Sequence, residues 1–241
     1  MPRPPFPKPR ARAPHRGAWN RGRRVVLALL LVGSLGVSGP GSAWNADRLG
    51  QAAARLGTPA VEGARDLRGL LVTVARLEEP ARAGLVNEFF NRRIAFAEDL
   101  DAWGMPDYWA SPLEVLVKGR GDCEDFAIAK YFVLRASGVP AQRLRLVYVR
   151  AQTAGRDGYP GLVIPHLVLA YYARPADDPL VLDNLVREVL PASRRSDLTP
   201  VFSFNSEGLW QGVSGGSAGD PLQRLSKWRE VLARAIEEGF E

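Results

Sequence analysis

The sequence predicts one α+β domain over residues 44–241, a buried central helix followed by antiparallel strands. Three observations carry this reading. Residues 123–137 are apolar or aromatic almost all the way round a helix, which marks a helix enclosed on every side. Beyond Gly138 and Pro140 the period changes from helical to extended, over 144–149, 162–172 and 180–184. The last two runs are joined by Ala173-Arg174-Pro175-Ala176-Asp177-Asp178-Pro179, a turn-rich connection suited to an antiparallel hairpin. At 241 residues, 46% apolar and 24% charged, the chain is long enough for one sizeable core, and its single cysteine excludes a disulfide scaffold.

Taken from the N-terminus, residues 1–24 hold eight Lys and Arg side chains and no acid. An apolar run over 25–37 and the small residues Gly41-Ser42-Ala43 follow, the layout of a signal peptide cleaved after Ala43. That run falls short of the roughly 20 residues of a membrane span; an uncleaved anchor is the alternative. Arg23-Arg24 matches the pair used by the twin-arginine route, with general secretion as the other route. Without the eight charges, 24 basic residues face 26 acidic ones, so the formal net charge of +6 becomes −2 and composition no longer points to a polyanion partner.

Leu67, Leu70, Leu71, Val74 and Leu77 recur at helical spacing and stop at Pro80. A second helix is expected over 83–97, with Leu85, Val86, Phe89, Phe90 and Ile94 inward. Trp103-Gly104-Met105-Pro106-Asp107-Tyr108-Trp109 reads as an aromatic turn. Gly119-Arg120-Gly121 interrupts the chain before the central helix, Asp122 caps it, and Asp125 is placed to bond back as in a capping box. Residues 211–219, rich in Gly and Ser, read as mobile, and Asp220-Pro221 opens a C-terminal helix with Leu222, Leu225, Leu232 and Ile236 inward.

Removal of the signal takes His15 with it and leaves one cysteine, Cys123, and one histidine, His166. Any Cys/His mechanism uses that pair. In the first turn of a helix Cys123 meets the positive end of the peptide dipoles, which favours thiolate. His166 lies on an expected strand, and a hairpin would bring Asp183 beside its ring in a register the sequence leaves open. For each residue alone the alternative is structural: a core thiol, a hydrogen-bonded core histidine, a solvated acid. A lone thiol in an oxidising compartment is inert and buried, paired with another chain, or reactive. Asp122, Glu124 and Asp125 surround it with charge that opposes the thiolate. They either bond helix amides and water or hold a hard cation, Ca²⁺ foremost. Zinc is disfavoured, because the only good N and S ligands are the two residues wanted for catalysis.

The string Gly119-Arg120-Gly121-Asp122-Cys123-Glu124-Asp125-Phe126-Ala127-Ile128-Ala129-Lys130-Tyr131 resembles the active-site helix of the bacterial transglutaminase-like cysteine proteinases, the LapG family of periplasmic proteases. The resemblance extends in order and spacing through Phe89-Phe90-Asn91-Arg92-Arg93, Asp107-Tyr108-Trp109, Gly138-Val139-Pro140, His166-Leu167-Val168-Leu169, Val181-Leu182-Asp183-Asn184 and Phe202-Ser203-Phe204-Asn205. It implies a papain-like, transglutaminase-type fold, a triad on Cys123, His166 and Asp183, and a calcium site on Asp122, Glu124 and Asp125. It also implies a function: periplasmic cleavage of a large surface adhesin near its N-terminus, at a paired-alanine site, releasing biofilm cells. An inner-membrane receptor for cyclic di-GMP would sequester the protease. The rivals are a transglutaminase, passing the acyl group to an amine, and a non-catalytic binding module.

Overall fold

Asn45 starts the first helix, α1 (Ala46–Leu56), by accepting hydrogen bonds from the Asp47 and Arg48 amides. The computed structural model of the chain describes residues 44–155, 160–213 and 215–241; the export signal expected over 1–43 lies outside the described residues. Gly57, at φ 94°, ends α1 and leads into α2 (Thr58–Val74). Pro80 sits in the first turn of α3 (Glu79–Arg93), where no intrahelical N–H is required, so it opens this helix rather than only closing the previous one.

The helix expected to run to 97 ends at Arg93. Ile94 turns extended, and β1 (Ala95–Phe96) pairs parallel with β2 (Arg120–Gly121). Between these strands lie α4 (Asp99–Trp103) and α5 (Pro112–Lys118), the latter opened by a capping box between Ser111 and Glu114. The parallel pairing sets the segment before Asp99 beside the segment before Asp122.

The central helix, α6 (Cys123–Ala136), buries eleven side chains, including Lys130, and ends at Ser137 with Gly138 in the left-handed region. Its face packs on a seven-stranded antiparallel sheet in the order β6-β5-β4-β3-β7-β8-β9. The strands are β3 (Leu144–Gln152), β4 (Val163–Tyr171), β5 (Leu180–Leu182), β6 (Leu190–Pro191), β7 (Leu198–Phe204), β8 (Leu209–Gln211) and β9 (Ser217–Gly219). Alternation divides the sheet. Leu144, Leu146, Leu167, Leu169 and Tyr171 join the main core with the helices. Val147, Val149, Ala151, Val168, Ala170 and Val181 form a smaller apolar cluster of their own.

Two expectations near the C-terminus change. The Gly/Ser-rich stretch carries the end of β8 and all of β9, whose backbones pair antiparallel, and its Ala218 packs against the main core. The C-terminal helix is two helices, α7 (Pro221–Arg224) and α8 (Ser226–Glu237), broken at Leu225. That break resets the inward face: Trp228, Val231 and Ala235 are buried, whereas Ile236 is 42% exposed. Trp228 stacks on Phe132 with centroids 5.7 Å apart. Past α8, the Glu238 carboxylate accepts from Ser111 Oγ and from the Leu113 amide, tying the chain end to α5. No helix among the described residues is long and apolar enough to cross a membrane.

Candidate active site

Cys123 is the first residue of α6, after the N-cap Asp122, whose carboxylate accepts from the Glu124 amide at 3.2 Å. Its thiol is half-buried and donates to Glu124 Oε2 at 2.8 Å. The amide of Leu167 on β4 also faces the sulfur. Burial, followed by the charge and hydrogen bond of Glu124, pushes the thiol well above its ordinary pKa. Burial and, after it, the nearby carboxylates therefore oppose what the helix terminus offers this thiol.

His166 lies on β4, opposite Val149 of β3, and Asp183 follows the last residue of β5. The β4–β5 pairing aligns Leu169 with Leu182, which brings the two polar side chains to the same end of the hairpin. Nε2 of His166 is 2.8 Å from Asp183 Oδ1, and both side chains are buried. The Leu185 amide donates to the same oxygen at 3.0 Å. Oδ2 accepts from Arg195 at 2.7 Å, and the Asp183 carbonyl accepts from Asn91 Nδ2 at 2.7 Å. Burial works against charge on Asp183, but the bond and charge of His166, then Leu185 and Arg195, outweigh it and hold the carboxyl well below the usual range.

A second cluster lies beside Cys123. One oxygen each from Asp99, Asp122 and Asp125 falls within 4.8 Å of the others. Asp125 is fully buried, accepting from the Ala110 amide at 2.7 Å and from Trp103 Nε1 at 3.1 Å. Asp99 accepts from the Tyr108 amide at 2.6 Å through Oδ2, while its buried Oδ1 has no hydrogen-bond partner among the described residues. Burial and then mutual repulsion with Glu124, Asp125 and Asp99 push Asp122 up to about 9; burial also pushes Asp125 up to about 7. Three carboxylate oxygens at this spacing fit a hard cation. Glu124 stands outside this trio, because its carboxylate is turned to the thiol of the preceding residue; Asp99 completes it instead.

The family model for bacterial transglutaminase-like cysteine proteinases matches residues 71–208, and the solved structure of Legionella pneumophila LapG is 35% identical, covering 79% of this chain and 97% of that one at a TM-score of 0.66. The chain is a member of this cysteine proteinase family. EGTA-treated LapG from the same organism gives a TM-score of 0.67 and calcium-bound LapG 0.65, each at 35% identity over 79% of this chain. A search of curated proteins found no match.

Within this proteinase, two site residues escaped sequence reasoning. Asp99 precedes Asp122 by more than twenty residues and joins it only through the β1–β2 pairing. Arg195 sits in a polar turn after β6 and looks like any solvated arginine, yet it is 4% exposed. Neither carries a one-dimensional signal.

Proposed function

We propose that this proteinase is a calcium-dependent periplasmic endopeptidase in which Cys123 is the nucleophile, His166 carries protons and Asp183 orients the ring. The observation that carries the chemistry is the buried His166–Asp183 hydrogen bond. It commits Nε2 and leaves Nδ1 to exchange a proton with the thiol, which meets β4 at Leu167. The Cys123 thiolate attacks a peptide carbonyl, and the oxyanion accepts from the Cys123 backbone amide at the helix start. The imidazolium then protonates the leaving amine as the C–N bond breaks. Water, deprotonated by His166, hydrolyses the thioester and restores the thiol.

Asp99, Asp122 and Asp125 would hold the calcium ion, with Glu124 releasing the thiol to join them; the charge of Glu124 already reaches Asp99 and Asp122. Bound there, the ion supplies positive charge that offsets the carboxylates around Cys123. Calcium-bound and EGTA-treated LapG structures support this ion. Resemblance to the LapG family supports the substrate, the N-terminal region of a large surface adhesin, and the inhibitory partner, an inner-membrane cyclic di-GMP receptor. The basic and apolar residues of 1–43 support export.

The test is incubation with the N-terminal segment of an adhesin from the same cell. Cleavage in calcium, lost in EGTA and in Cys123→Ala, is the expected result. Full activity of Cys123→Ala overturns the nucleophile; an added amine captured into crosslinked product overturns hydrolysis in favour of transfer.

A further inference from the structure

Asp183 has two carboxylate oxygens, and they serve different partners. Oδ1 receives His166 and the Leu185 amide; Oδ2 receives Arg195. The guanidinium is itself held: Nε donates to Asp197 Oδ1 at 2.9 Å, and the Nη2 that meets Asp183 donates to Asp197 Oδ2 at 2.8 Å. Only 3% of the Arg195 side chain is exposed, against 35% for Asp197, so the chain of bonds runs from the buried ring outward to solvent. A planar fork gripped at two points by one carboxylate has little freedom, and its direction fixes the oxygen it meets.

We propose that Arg195, clamped by Asp197, is a positioning residue for the reaction: it fixes the plane and charge of the Asp183 carboxylate, and through it the orientation of the His166 ring. This role rests on the proposed Cys123–His166–Asp183 triad and extends it outward by two residues. Its physical basis is that an orienting carboxylate with one unrestrained oxygen rotates, and the imidazole follows. Lys130 lies in the same neighbourhood: it is fully buried, its Nζ has no hydrogen-bond partner among the described residues, and the negative charge of Asp183 acts on it. Asn91 holds the carbonyl of Asp183 from the α3 side, and among the described residues Arg195 is the hydrogen-bond donor to the second carboxylate oxygen.

The test uses the calcium-loaded chain and two readouts independent of the natural substrate: the rate of Cys123 alkylation by iodoacetamide at one pH, and the His166 Nε2–H proton resonance. Wild type is compared with His166→Ala, Arg195→Lys and Asp197→Asn. Arg195→Lys keeps the charge and loses the fork; Asp197→Asn loosens the clamp from its solvent side. Alkylation should fall about tenfold in Arg195→Lys, which is about 1.4 kcal/mol, and about threefold in Asp197→Asn, with the resonance displaced in both and melting of Asp197→Asn close to wild type. If Arg195→Lys fails to fold, Asp197→Asn decides. Wild-type alkylation together with an unmoved resonance in Asp197→Asn and in any folded Arg195→Lys overturns the proposal. Unchanged alkylation in His166→Ala overturns instead the triad reading on which it rests.

Discussion

His166 Nε2 lies 2.8 Å from Asp183 Oδ1, with only 2% and 0% of the two side chains exposed. A hydrogen bond shielded from water in this way sets the tautomer of the ring. Asp183→Asn keeps the shape and loses the charge. It should lower kcat by about 10²–10⁴-fold with little change in KM, read on a cleavable adhesin segment, with the fold checked by circular dichroism. A loss below threefold would remove Asp183 from the proposed triad.

Gly121 is required for a spatial reason. A Cβ there would stand 2.2 Å from Asp125 Oδ2 and 2.8 Å from Asp125 Cβ. Gly121→Ala should therefore displace the carboxylate held by Ala110 and Trp103, costing about 1–3 kcal/mol in urea unfolding and weakening calcium binding. Gly84→Ala, in α3 with nothing within 4 Å, is the control and should be neutral or stabilising.

Calcium should raise the melting temperature. An ion that binds only the folded state adds about 2.7 kcal/mol at a concentration a hundredfold above its Kd. In Asp99→Asn the metal-free protein should melt no lower than wild type, because a repelling charge is gone, while the calcium-induced rise shrinks. Identical melting in calcium and EGTA for wild type would eliminate the ion from this site.

Lys130 gives a pH signature. Burial lowers its ammonium to about 7, with the charge of Asp183 opposing. The unfolded chain binds that proton up to about 10.4, so between about 7 and 10 the unfolded state holds more protons and stability rises with pH. Lys130→Met removes this contribution. Its stability relative to wild type should be greatest at pH 7 and below, then decline by at most about 1.4 kcal/mol per pH unit toward pH 10. A difference that stays flat from pH 6 to 10, measured by urea unfolding, contradicts a lowered Lys130.

Much of the frame was legible in one dimension because it follows from local rules. α6 ends within a residue of its expected limit, since Gly138 supplies the positive φ of a helix stop. β3, β4 and β5 fall on the runs read as extended, and their hairpin is antiparallel. The errors cluster where the deciding contact is distant. Residues 95–96 continue a helical pattern but take a strand partner in residues 120–121. Ile236 fits an uninterrupted helix, but the break at Leu225 rotates α8 until Trp228 meets Phe132 and Phe204.

What the sequence alone determined is which residues have chemistry to offer: one cysteine at the start of a buried helix, one histidine on a strand, and acids beside the thiol. Those are matters of residue type and of spacing along a single element. The tertiary structure decided their partners. It turned Glu124 toward the sulfur, drew Asp99 into the acidic cluster through a two-residue parallel ladder, and buried Arg195 against Asp183. Charge interactions act through space and strengthen as water is excluded, so a residue's electrostatic role belongs to its folded neighbourhood and not to its place along the chain.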